Sequence, residues 1–189
     1  MIALTFDDGP RASVTNRILD SLGQYGGRAT FFMVGTNVPQ NGEVIRRMVA
    51  QGCEVANHTN DHKYISKLGN EGIVSQVSAV NQKVAAACGV SPVVMRPPGG
   101  YIEGHALSVL GSMRMPAIMC SIDTRDRQHR NAQKTINNVL SQVKDGDIVL
   151  MHDIYDATAD AAVALIPELT ARGYQLVTVS ELAAARGGM

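Results

Sequence analysis

The chain has 189 residues, with seventeen basic and seventeen acidic side chains and a formal charge of zero. That length is enough for one domain with a sizeable core, and a hydrophobic content of 45% argues against a disordered chain. Neutrality gives no electrostatic reason to expect nucleic acid or an anionic membrane as partner, and a neutral substrate fits better.

Met1 leads directly into an apolar strand over 2–6, with no secretory signal before it. The start reads as a replacement for natural upstream sequence, so residues 1–189 are expected to be one excised catalytic domain. A helix over 13–25 follows and closes at Gly26-Gly27. A strand over 29–34, a helix over 42–51 and a strand over 53–57 come next, with Gly52 at the last junction. The helix over 70–88 stops at Gly89, and a strand over 93–96 runs into Pro97-Pro98. A helix over 102–113, a strand over 117–122 and a helix over 132–144 follow. Asp145-Gly146-Asp147 reads as a turn before a strand over 147–152. The apolar, Ala-rich helix over 157–172 reads as core packing. A strand over 174–178 and a helix over 180–186 complete the chain, with Ser180 as N-cap but no full capping box. No apolar run approaches the roughly 20 residues of a membrane span. Cys53, Cys88 and Cys120 form no C-x-x-C pair and no disulfide framework; Cys53 and Cys120 read as buried small apolar residues.

Regular βα alternation predicts a parallel sheet with helices outside. About seven such units in one small domain, without linker or repeat, suit a closed or nearly closed (β/α) barrel. The polar clusters all fall at strand C-terminal ends. Asp7 and Asp8 follow the first strand, and His58 and His62 the third. Arg96 ends the fourth, Asp123 and Asp126 follow the fifth, and His152 ends the sixth. In such a barrel these ends share the face on which active sites are built.

Each cluster also has a bland reading. His58 and His62, four residues apart, can reach one metal ion from a helical turn, but surface histidines at this spacing are common. Asp7 and Asp8 could cap the following helix, yet a cap needs only one residue. Two adjacent carboxylates repel one another unless a cation neutralises them, and a metal together with Arg96 would do so. A lone His at the end of an apolar strand is commonly structural, but Asp126 offers His152 a partner that would raise its pKa. His105 and His129 read as solvated, and Asp61 and Asp153 as turn or capping groups.

At Thr5-Phe6-Asp7-Asp8-Gly9-Pro10, His58-Thr59-Asn60-Asp61-His62, Arg96-Pro97-Pro98-Gly99-Gly100, Asp123-Thr124-Arg125-Asp126 and Leu150-Met151-His152-Asp153 the chain resembles the polysaccharide deacetylase family, carbohydrate esterase family 4. All five family motifs occur in order, and the likeness covers essentially the whole chain. It implies a distorted (β/α) barrel and removal of acetyl groups from N-acetylglucosamine polymers such as peptidoglycan or chitin, or from xylan. Peptidoglycan is the favoured substrate. By position it makes Asp8, His58 and His62 the ligands of one divalent metal, zinc first, with cobalt, nickel or iron as alternatives. Asp7 becomes the general base, held ionised by Arg96. His152 becomes the general acid, tuned by Asp126. The Gly99 N–H would bind the oxyanion and Leu150 the acetyl methyl. Amides are poor electrophiles with poor leaving groups, so the reaction needs this set of metal, base and acid.

Two positions depart from the family pattern. Gly99 stands where an aromatic residue is frequent, and Arg127 where Trp is usual; the chain has no Trp. Arg127 should hold a neutral glycan less well than Trp, or else read an anionic one. An O-acetyl esterase on xylan and a carbohydrate-binding pseudoenzyme are the competing functions. The family also implies an extracellular or cell-surface setting, and a monomer is expected.

Overall fold

The computed structural model describes residues 1–187. Chain order runs β1 (Ala3–Asp7), α1 (Ala12–Tyr25), β2 (Thr30–Met33), α2 (Gly42–Ala50), β3 (Glu54–Asn57), α3 (Asn70–Cys88) and α4 (Gly104–Ser112). It continues with β4 (Ile122–Asp123), α5 (Asp126–His129), α6 (Ala132–Gln142), β5 (Ile148–His152), α7 (Asp156–Ala171) and α8 (Val179–Ala185). The strands form one parallel sheet in the order β3-β2-β1-β5-β4, with β1 at its centre.

The two-residue period of a strand sorts its side chains between two faces. Leu4, Phe6, Phe31, Met33, Val55, Val149 and Met151 face outward and are buried against residues of α1, α2 and α7. Burying each such side chain stabilises the fold by roughly 1.5–3 kcal/mol. Ala3, Phe32 and Ala56 face the other way, into a smaller cluster closed by Val179 and Leu182 of α8. Thr5 and Asp7 share that inner phase on β1, and Leu150 and His152 share it on β5. The concave face is thus apolar at one end and polar where the strands finish.

Three of the seven expected strands are reduced to single bridges or short pairings. Met95 bridges both Asn57 of β3 and Ala117, and the segment from Ala117 then runs into β4. These contacts join the two edge strands, so the sheet curls toward the expected barrel. Segment 93–96 lies between Pro92 and Pro97-Pro98, which cannot donate to a ladder, and this keeps its pairing short. Segment 174–178 forms a bridge at Leu176 with Ile2 and takes a bond from the Arg28 N–H, and it stays short because Gly173 (φ 87°) turns the chain before it and α8 begins at Val179. The α8 cap corrects the sequence reading. Thr178, not Ser180, is the N-cap, and it forms a full capping box with Glu181. The short helix α5 was not expected from the sequence. Among the described residues, no helix is long and apolar enough to cross a membrane.

Candidate metal and acid–base site

Asp7 is the last residue of β1 and lies in register with His152, the last of β5. Asp8 then takes a left-handed conformation (φ 73°), which turns its carboxylate away from that of Asp7. The two neighbours therefore find different partners. Asp7 Oδ1 accepts a hydrogen bond from Arg96 Nη1 at 2.7 Å, and its Oδ2 lies 3.8 Å from His58 Nε2. Asp8 Oδ1 lies 3.4 Å from His58 Nε2 and 3.2 Å from His62 Nε2.

His58 and His62 do meet, with ring centroids 5.0 Å apart, but not on a helical turn. Thr59 (φ 62°) and His62 (φ 58°) are both left-handed, so the four-residue spacing works through a loop. Tertiary hydrogen bonds impose it. Gly35 and Thr36 donate to the carbonyls of Thr59 and Asn60, and Thr59 N–H donates to Asn57 Oδ1. Asn57 is itself tied to Val77 O and Asn81 of α3.

The residues fit a divalent cation on two counts. Asp8 Oδ1 is buried and makes no hydrogen bond, although two imidazole nitrogens stand beside it. An orphaned buried carboxylate oxygen between two nitrogens suits a metal ion, and among the described residues these three can converge on one ion. His58 Nδ1–H also donates to the Arg96 carbonyl at 2.8 Å, which leaves the Nε2 lone pair toward Asp8. Burial alone would raise the Asp8 pKa, but His58 and His62 hold it well below the usual carboxylate range.

Arg96 is buried and serves several groups at once. Nη1 also donates to Thr5 Oγ1 at 2.8 Å, Nε donates to the Ile118 carbonyl, and the guanidinium lies 4.2 Å over the Phe32 ring. The Thr5 contact was not anticipated from the sequence. Its signal was the inner phase of Thr5, two residues before Asp7.

Across the sheet, His152 Nδ1–H donates to Asp126 Oδ1 at 2.7 Å. Asp126 is buried and accepts three more bonds, from the His152 N–H, the Arg127 N–H and the Thr158 hydroxyl. Burial opposes ionisation of Asp126, yet His152 and these donors keep its pKa lowered. Burial opposes the imidazolium too, but Asp126 outweighs it and raises His152.

Asp7, His58, His62, Arg96 and His152 open on one cleft of about 290 Å³, whose wall also includes Gly99, Arg127 and Leu150. Asp8 borders it through His58 and His62, and Asp126 sits behind His152. Asp123, expected at this face, lies on the same wall, and sequence reasoning missed Met119 and Cys120 there. Cys120 is half-buried rather than fully buried, and burial pushes its thiol up. Gly99 is left-handed (φ 70°), and a Cβ there would lie 2.9 Å from the rings of Tyr64 and Tyr101. These two tyrosines pack edge to face, with centroids 5.7 Å apart, so an aromatic pair stands beside the glycine after all.

Other readings need correction. Asp153 stands in a turn, as expected, but is buried behind Gly9. It accepts the Thr15 hydroxyl at 2.6 Å, and burial raises it to about 7. His105 is exposed as expected and His129 is half-buried, and both rings have backbone partners, the carbonyls of Leu68 and Thr124.

A polysaccharide deacetylase family model matches residues 1–142. The chain belongs to that family. Over 182 residues it is 41% identical to a peptidoglycan-N-acetylmuramic acid deacetylase of Bacillus subtilis, covering 96% of this chain and 38% of the relative. A peptidoglycan-N-acetylglucosamine deacetylase of Listeria monocytogenes is 38% identical over 181 residues, again covering 96% of this chain and 38% of the relative. The chain thus spans about two-fifths of the length of these relatives. A solved peptidoglycan deacetylase from Bacillus subtilis superposes with a TM-score of 0.94 at 39% identity, covering 98% of this chain and 91% of the other. The two share one α/β fold built on a parallel sheet.

Proposed function

We propose that this polysaccharide deacetylase domain removes the acetyl group from N-acetylated sugars of peptidoglycan, with one divalent metal, zinc, held by Asp8, His58 and His62. The orphaned Asp8 Oδ1 between two imidazole nitrogens, flanked by an Asp–Arg and an Asp–His pair, carries this reading. The names of the Bacillus and Listeria relatives supply the polymer.

When bound, the ion polarises the acetyl carbonyl and acidifies a water. Asp7 then acts as general base. Arg96 fixes Oδ1, so Oδ2 is the free oxygen that takes a proton from the attacking water. His152 acts as general acid. Its Nδ1–H is committed to Asp126, so Nε2 faces the cleft and protonates the departing amine. The Gly99 N–H donates to the carbonyl oxygen as charge develops on it, and Leu150 bounds the space for the acetyl methyl. The domain works as a monomer at the cell surface, where its polymer lies.

Acetate release from N-acetylated peptidoglycan fragments, chitooligosaccharide and acetylated xylan tests the reading. Release from the first at the highest kcat/KM is expected, and release from xylan alone would refute it. His58→Ala should lose most bound metal by elemental analysis. Metal content equal to wild type would remove His58 from the ligand set.

A further inference from the structure

We infer that Arg127 is a specificity-determining residue that selects an N-acetylated sugar bearing a carboxylate beside its acetamido group, as a muramyl residue with a free lactyl group does. The inference rests on the deacetylase reading of the cleft.

The position of Arg127 is fixed by the machinery of the candidate acid. Its N–H donates to Asp126 Oδ1 at 2.8 Å, the same oxygen that accepts His152 Nδ1–H at 2.7 Å. Arg125, left-handed at φ 57°, starts the short helix that carries Arg127 onto the cleft wall. The backbone of Arg127 is therefore anchored two hydrogen bonds from the imidazole, while its side chain is exposed.

Its guanidinium is unengaged. Among the described residues it makes no ion pair and no side-chain hydrogen bond, in contrast to Arg96 and Arg130. Arg96 is committed to Asp7, and Arg130 lies 4.6 Å over the Tyr155 ring. Asp123 shares the wall, but its Oδ1 accepts the Arg125 N–H in a local turn and it forms no ion pair with Arg127. Asp7 with Arg96 and Asp126 with His152 form ion pairs, whereas Asp123 and Arg127 stand on the wall without one among the described residues. Among the described residues, Arg127 is the cation of the cleft wall whose guanidinium is free to meet a substrate.

A guanidinium fork matches a carboxylate in bidentate geometry and gains little from a neutral hydroxyl surface. In a muramyl sugar the lactyl ether is on carbon 3, next to the carbon that carries the acetamido group. A sugar placed with its acetamido group between Asp7 and His152 carries that carboxylate along the same wall. A neutral N-acetylglucosamine residue offers nothing there.

Binding isotherms and initial rates of acetate release on three ligands test the inference. The ligands are a glucosaminyl-muramic acid disaccharide with both amides acetylated and a free lactyl carboxylate, its lactyl carboxamide, and diacetylchitobiose. Wild type should prefer the carboxylate over the carboxamide by about tenfold to a hundredfold, and the preference should shrink with salt. Arg127→Gln should reduce it to near unity. Arg127→Trp should do the same while lowering KM for diacetylchitobiose. Equal affinity of wild type for carboxylate and carboxamide, no binding of the carboxylate, or a preference that survives in Arg127→Gln would overturn the inference. A preference without acetate release would keep the Arg127 assignment and sink the deacetylase reading. Equal acetate release from all three by wild type and Arg127→Gln would do the reverse.

Discussion

Asp7 and Asp8 have the same side chain and adjacent positions, and their environments divide the work. The left-handed turn at Asp8 sends one carboxylate to Arg96 and the other to two imidazoles. Asp7→Asn is nearly isosteric and removes only basicity. It should retain metal and lose turnover by about 10²–10⁴-fold, measured by acetate release beside elemental analysis. If it emptied the metal site instead, the two roles would be exchanged. His152 gives a second test at this scale. Asp126 holds it protonated above its ordinary 6.5, and the acid form is the one the mechanism uses. Turnover should therefore fall as pH rises through that raised pKa. Asp126→Asn keeps the burial, which disfavours the imidazolium, and removes the carboxylate that favours it. The alkaline limb of the pH–rate profile should move to lower pH, and an unmoved limb would count against the Asp126–His152 pair as the acid.

Elements matter here mainly as holders of strand ends. α8 is only seven residues long, yet it carries Val179 and Leu182 into the inner cluster beneath the site. So short a helix is marginal without its cap. Thr178→Ala breaks the capping box and should cost about 1 kcal/mol. In a domain of this size that lowers Tm by about 2–4 °C in a thermal melt, with Thr178→Ser close to wild type. The box stands in the sequence as Thr178-x-x-Glu181, but Thr178 also ends the apolar segment 174–178, so strand end and helix start compete for the same residue. The inner strands 93–96 and 174–178 were legible as apolar segments. Their reduction to single bridges depended on Pro92, Pro97 and the turn at Gly173.

At the scale of the molecule, the proposed metal ligands come from the ends of β1 and β3, which are brought together through the folded sheet. A cation bound there stabilises the native state alone. At a metal concentration a hundred times Kd this contributes about 2.7 kcal/mol, so chelation should lower Tm by about 5–10 °C. His58→Ala should show no such response to a chelator, and a wild type indifferent to chelation would argue against a tight site. The sequence by itself determined the βα alternation, the inner and outer phases of the strands, and the residue types gathered at their C-terminal ends. Those follow from local periodicity and from the common face of parallel strands. Only the tertiary structure decided that His58 and His62 meet through a left-handed loop, that Arg96 reaches Thr5 as well as Asp7, and that Tyr64 and Tyr101 flank Gly99. It also decided that, among the described residues, the Arg127 guanidinium has no ion-pair partner on the wall of the cleft. Each of these depends on hydrogen bonds or packing between segments distant in the chain, which override local spacing and have no counterpart in a short window of sequence.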